Sequence, residues 1–533
     1  MKNIKIITGV IVVLVLSACR KDFLDRRPLD EVGAFDYFKS VKDLETYLNQ
    51  FYNTTSFPIV SEYGLDFNSD NAVATNFNAT LAGTRTLDNA GAISFTAVRS
   101  VNYFFDNYKR IEGFAAFDDY KQYVGEAFFF RALIYFNLLK GWGDIQWFTS
   151  VPGTESPELL QQRDPRNVVA DNIIKDLDSA ASYLQAAKTD GASRINKWMA
   201  LLIQSRVALY EGTWEKYHAG DPFGVANPQP EKYFNKAVEA ATKVMESGVY
   251  SLYSTNSPAT DYYDLFGKQR TYASNTEVMF WKKFDNGLGK GEAPFRREVN
   301  YRQRTPNEHS QTKELADSYL CTDGKPISVS PEFKGFTNIG LEMQNRDPRF
   351  FQTFGMPGSP WVITSGGDVT NYDALYAMLN QGLEQYAPSG YVLRKGYDSR
   401  QIYHIPQYEE TPGIVYRYGE VLLNFAEAKA ELGTITQDDI DKSIKKLRDR
   451  VGMPNLVLSS ITTDPEWDFP TLSPVINEVR RERRVELAAE GFRFDDIMRW
   501  AAADELIVGK RPHGFKADQL AVNPYPVAAD GFL

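Results

Sequence analysis

The sequence predicts a mainly α-helical fold with long irregular insertions, and three observations predict it. Apolar residues recur at helical spacing in two blocks, one from Tyr120 to Val244 and one from Tyr418 to Glu490. Between them, from about Tyr250 to Gly413, Gly, Pro, Asn and aromatic residues dominate and only short regular pieces stand out. The 533 residues are 43% hydrophobic and 14% aromatic, so the chain can bury large cores and is neither disordered nor low-complexity. The length allows three or four domains or one large interlocked unit.

In chain order, Lys2 and Lys5 precede an apolar run from Ile6 to Leu16 and then Leu16-Ser17-Ala18-Cys19. A short apolar run before a small-residue cleavage site predicts a secretion signal over residues 1–18, with the Cys19 thiol placed for lipidation. The run is too short for a spanning helix, which needs about 20 residues. Two or more acyl chains, at about 0.8 kcal/mol per buried CH₂, make a stable anchor where one is marginal. Arg20, rather than Asp, follows the Cys. Residues 19–39 are expected to be a lipidated tether, residues 40–249 an N-terminal helical region, and residues 250–533 a loop-rich region followed by C-terminal helices.

Ser40 with Asp43 predicts a helix cap, and Leu44, Tyr47, Leu48 and Phe51 follow at i, i+3, i+4, i+7. From Asn53 to Phe95 periodicity fails, and turn-forming polar residues suggest an ordered surface loop that keeps Phe67, Phe77 and Phe95. From Tyr120, two apolar stripes, one through Ala127 and Phe130 and one through Ala132 and Tyr135, predict a helix buried on both sides. Three more helices follow: Ala170 to Leu184, Trp198 to a stop at Gly212, and Phe234 to a stop at Gly248. The spacing from Trp198 to Tyr233 is close to the roughly 34-residue period of tetratricopeptide helix pairs, and insertions spoil that period elsewhere. Later patterns predict helices from Tyr418 to Leu432 before Gly433, through Ile440, Ile444, Leu447 and Val451, and from Pro474 to Glu490.

A formal charge of −10 argues against a duplex nucleic-acid partner, which favours a basic surface. Cys19 and Cys321 make no disulfide framework, and no CxxC pair offers a zinc site, so no metal and no cofactor is expected. Gly-x-Ser-x-Gly, His-Glu-x-x-His and a phosphate loop are all absent, and the four histidines are scattered singly, as ordinary polar residues. Gly287 to Glu292 reads as a flexible loop. Asp118-Asp119, Glu409-Glu410 and Asp495-Asp496 are adjacent carboxylates that diverge on a helix or turn, so they read as caps or solvated faces rather than a glycosidase pair. Arginines 480, 481, 483 and 484 alternate with glutamates 478, 482, 486 and 490, which predicts ion pairing within and between helices. No enzyme is expected.

Several segments together resemble the SusD/RagB family of surface lipoproteins. They begin with Cys19, Phe23, Leu24, Asp25 and Pro28, and continue with Ala97 to Asn102, Gly125-Glu126-Ala127, Arg131-Ala132, Tyr135-Phe136 and Gly143-Asp144. Thr312 to Ala316, Asp323 to Pro326 and Asn345 to Arg349 follow. Tyr416-Arg417-Tyr418, Glu420, Asn424, Ala426 to Ala428, Glu482 to Leu487 and Gly491 to Asp495 complete the series. Thr96 and Gln146 depart from the pattern. The resemblance implies a SusD-like frame of about four tetratricopeptide-like helix pairs. It also implies an outer-membrane, surface-exposed protein that captures an oligosaccharide or peptide and passes it to a SusC-like TonB-dependent barrel. A surface glycan hydrolase and a tetratricopeptide-type scaffold are the rival readings.

Sugar binding asks for aromatic faces against C–H-rich ring faces and polar groups that match hydroxyls. Two loop segments offer both, Asp66 to Arg85 and Phe280 to Asn307. Trp281 and Tyr301 are the expected stacking rings, Asp70 and Asn71 the expected hydroxyl partners, and Phe77 and Arg85 complete the set.

Overall fold

The computed structural model describes residues 37–53, 57, 66–74, 77–86, 91–188, 194–289, 309–379, 389–403, 410–520, 523 and 526–532. Cys19, the expected signal, most of the expected tether and Tyr301 lie outside them. The N-terminal frame is built from α1 (Val41–Asn49), α2 (Thr96–Asn107), α3 (Phe117–Trp142), α4 (Arg166–Tyr183), α5 (Lys197–Tyr217) and α6 (Pro230–Glu246). Ser40 caps α1 as expected: its hydroxyl accepts from the Asp43 amide, and the Asp43 carboxylate accepts from the Ser40 amide. Phe38 is buried with its ring 6.1 Å from that of Phe104, so the core begins before residue 39, inside the stretch expected to be tether.

Helices α3 to α6 pack each on the next in chain order, with α1 and α2 against α3. Both expected stripes of α3 sit in or against one apolar core. Gly248 and Gly433 take left-handed backbone where helices were expected to stop. Gly212 does not stop α5. A Cβ there would lie 2.8 Å from the Phe234 ring, so this glycine permits close approach of α5 and α6 rather than ending a helix.

The frame is completed from far down the chain. Short helices α7 (Asp261–Gly267), α8 (Lys313–Asp317) and α9 (Pro348–Thr353) belong to the irregular middle. Then come α10 (Tyr418–Glu431), α11 (Gln437–Lys442), α12 (Ile444–Arg450), α13 (Pro474–Glu486), α14 (Arg493–Arg499) and α15 (Ala503–Leu506). Helix α10 packs against α5, α6 and α13. The periodic run through Ile440 and Val451 breaks into α11 and α12 at Ser443, whose buried hydroxyl donates back to the Asp439 carbonyl at 2.6 Å.

Strands are few and short: β1 (Ala72–Ala74), β2 (Val278–Lys282), β3 (His309–Gln311), β4 (Pro360–Ile363), β5 (Val369–Asn371) and β6 (Gly413–Arg417). They form three antiparallel pairs, β1–β3, β2–β6 and β4–β5. A second apolar core gathers Tyr319, Phe350, Phe354, Tyr391 and Phe515 under the irregular region. No helix among the described residues is long and apolar enough to cross a membrane.

Between the two cores lies a buried ionic layer. Glu486 accepts from Arg349 at 3.0 Å, Arg417 at 2.8 Å and Arg450 at 2.6 Å. Burial alone would raise this carboxyl, but the three guanidiniums outweigh it and hold it well below the usual carboxylate range. Helix α13 ends at Glu486, earlier than expected, because Ala489 turns into left-handed backbone. That turn brings Glu490 back to Arg417 and to the fully buried Lys395, whose ammonium burial depresses to about 8. The pairing expected around Arg480 to Arg484 is present, mostly between elements: Arg480 with Glu431, Arg483 with Asp496, Arg484 with Asp70.

Candidate functional site

The segment after α1 is fastened to two distant parts of the chain. Strand β1 pairs with β3, with Ala72 opposite Gln311 and Ala74 opposite His309. Thr312, the cap of α8, donates its hydroxyl to the Asp70 carbonyl at 2.6 Å, and its amide donates to the Asn71 carbonyl at 3.0 Å. Asp66 accepts from the amides of Ala489 at 2.9 Å and Gly491 at 3.1 Å, in the turn after α13. Burial raises the Asp66 carboxyl, against the lowering effect of these bonds and of one from Asn71.

The result is an open cavity of about 660 Å³. One wall is Phe67, Val73, Phe77 and Leu81; the other comes from the segment after α14, with Leu506, Ile507 and Pro512. Polar groups converge between the apolar walls: Glu314 from α8, Asp468, Glu505, Lys510 and His513. The His513 ring is held at both nitrogens, Nδ1 against Glu314 and Nε2 at 3.1 Å from Asp530. Its carbonyl accepts from the Lys313 amide at 2.9 Å, which fixes the second wall to α8. Phe77 is 77% exposed, a large ring left in water at the rim.

Two of the expected site residues, Asp70 and Phe77, line this cavity. Asp70 is not free to meet a hydroxyl: Arg493 binds both its oxygens at 2.7 and 2.8 Å, and Arg484 lies 2.8 Å away. Burial would raise its carboxyl, yet the two guanidiniums hold it at about 2. Asn71 is buried, with its amide nitrogen donating to Asp66 and its amide oxygen accepting from Arg484, so it positions the wall. Arg85 is exposed and is not among the cavity-lining residues.

Trp281 corrects the expectation more sharply. Residues 278–282 form strand β2 rather than a loop, and Trp281 pairs with Ile414 and packs edge-on against Tyr272 within the main core, 8% exposed. The ring is buried in the core, so it offers no face to a ligand.

The segment from Glu505 to His513, together with Glu314 and Asp468, was missed. The one sequence cue was punctuation, Gly509, Pro512 and Gly514, after the last helical pattern. The adjacent carboxylates diverge as expected where described. Asp119 accepts from the Ala116 amide at the start of α3, while Asp495 meets Lys140 and Asp496 meets Arg483 and Arg499. No cluster of His, Cys, Asp and Glu that would hold a metal ion occurs among the described residues.

A family model described as "SusD family" matches residues 244–526, and one described as "Starch-binding associating with outer membrane" matches residues 22–209. SusD-like protein P38 of Formosa agariphila is 22% identical over 397 residues, covering 72% of this chain and 68% of that protein. A SusD-like carbohydrate-binding protein of Bacteroides fragilis has a similar structure, with a TM-score of 0.68 at 22% identity over 94% of both chains. Another similar structure, described with a xylogluco-oligosaccharide, has a TM-score of 0.57 at 18% identity, covering 86% of this chain and 82% of that one.

Proposed function

The chain belongs to the SusD family, and from that premise we propose that it captures an oligosaccharide, or another nutrient oligomer such as a peptide, without cleaving it, and delivers it to a SusC-like TonB-dependent barrel. Association with the outer membrane comes with the family. Anchoring through acylated Cys19 and exposure at the cell surface are part of the proposal.

The open cavity beside Phe77 is the observation that carries this reading. Its aromatic rings suit the C–H faces of sugar rings, and sugar hydroxyls, which both donate and accept, can donate to its carboxylates and accept from Lys510. Binding without cleavage is supported by the state of two lining carboxylates, Asp70 and Asp468. A glycosidase needs an acid raised toward neutrality beside a second free carboxylate, whereas Asp70 is held low by two arginines and Asp468 is paired with Arg484. Tyr301 precedes β3 by a short stretch of chain and is kept as a proposed stacking ring.

Calorimetry on the soluble domain with malto- and xylogluco-oligosaccharides tests the reading, with chromatography of the recovered sugar. Binding with intact sugar is the expected result; shortened sugar in solution points to a hydrolase instead. Phe77→Ala is expected to weaken binding at least tenfold with the melting temperature unchanged. Trp281→Ala should instead cost roughly 3 kcal/mol of stability through the cavity it leaves in the core. Cys19→Ala should release the chain from membranes, and a mild-detergent pull-down that recovers no barrel would count against the delivery role.

A further inference from the structure

The candidate cavity does not end at its polar floor. Glu314 and Asp468 also line a second, smaller chamber of about 200 Å³, which extends to Trp467, Ile327 and Ser328. The two chambers meet at these two carboxylates, one from α8 and one from the segment before α13. Each chamber is lined by an aromatic ring, Phe77 in the first and the half-buried Trp467 in the second. Trp467 is held in place by a hydrogen bond from its indole nitrogen to Glu478 at 3.1 Å. The polar lining of the second chamber is likewise fixed before any ligand arrives: Ser328 donates to Asp464 at 2.7 Å, and Arg481 pairs with Asp464 and Glu478.

Resting on the glycan-binding reading above, we infer that the two chambers form one groove with two subsites, and that its ligand is a linear oligosaccharide long enough to occupy both. A ring in each chamber and two carboxylates shared by both suit such a chain: sugar units stack in each chamber while the linking units present hydroxyls to the Glu314 and Asp468 carboxylates, which accept from them. A mono- or disaccharide fills one chamber and forgoes the other. Linking two weak contacts in one ligand multiplies their effect without any new contact, so affinity should climb steeply with length once the second chamber is reached.

The experiment is a length series by calorimetry, maltose to maltoheptaose and a short and a long xylogluco-oligosaccharide, on the wild-type soluble domain, Phe77→Ala and Trp467→Ala. The long sugars are expected to bind at least tenfold tighter than the short ones. Trp467→Ala should abolish that advantage and leave the short sugars unaffected, while Phe77→Ala should weaken both. Should Trp467→Ala lower the melting temperature, Ser328→Trp, at an exposed position lining only the second chamber, serves in its place and should remove the same advantage. Binding that is independent of length, or equal loss for short and long sugars in the second-chamber variants, overturns the two-subsite groove and leaves the glycan-binding reading standing. No binding by any sugar at millimolar concentration overturns both.

Discussion

The core of the α3 to α6 stack and the ionic layer around α13 are both buried, yet different interactions specify them. In the stack, apolar side chains recur along each helix and each helix meets its chain neighbour. Around α13, Arg349, Arg417 and Arg450 converge on Glu486 from three separate stretches of chain. Dispersion and apolar burial tolerate approximate shapes, whereas a buried charge tolerates no missing partner. Apart from its own buried pairs, Arg131–Asp176 and Arg166–Glu211, the apolar packing of the stack is therefore the forgiving region and the ionic layer the unforgiving one.

The largest test of that contrast is Glu486→Ala, which removes the carboxylate that three buried guanidiniums share. A loss of about 3–5 kcal/mol is expected by chemical denaturation. A loss under about 1 kcal/mol would show the layer to be as adaptable as the stack. Gly212→Ala probes the stack where it is tightest, since the added methyl meets the Phe234 ring, and should cost about 1–3 kcal/mol. The smallest effect is in pH dependence, where the two regions should move in opposite directions. Asp70, low in the folded protein at about 2 against an ordinary 3.8, contributes stability that is present above that ordinary value and is lost as pH falls toward 2. Glu215 in α5 is the reverse: burial first, then the nearby Glu211 and Asp171 charges, push its carboxyl up to about 7 from 4.5. Its contribution is complete below 4.5 and is lost as pH rises through 7. Melting temperatures followed across pH should therefore show a decline between pH 4.5 and 7 that Glu215→Gln levels out.

The same contrast explains what the sequence discloses. Helices α3, α4, α6 and α10 are legible because one helix writes its own period, and Ser40, Gly248 and Gly433 because caps are local. Strand β2 is not legible: five residues give too little alternation, and its partner β6 lies far along the chain, so Trp281 reads as a loop aromatic when it is a core one. At the candidate cavity, Asp70 and Phe77 of the expected set line the wall, but with different roles. Only the fold shows that Arg484 and Arg493 consume Asp70 and that residues 505–513 supply the facing wall. Much of what carries the family resemblance, among it Arg131, Arg349, Arg417, Glu420, Glu482 and Glu486, is buried in ion pairs. Those residues specify the frame, and the lining of the cavity is mostly built from others.

The fastening of the 66–74 segment to β3 and to the turn after α13 has a kinetic consequence. Walls drawn from residue 67 and residue 513 cannot close on each other until nearly the whole chain is available, and loops of that span form late because their closure entropy must be met before any contact rewards it. The N-terminal helices, by contrast, meet their neighbours as they emerge. A chain still short of residue 513 has a folding frame but no cavity, so nothing can occupy that cavity until synthesis is nearly complete.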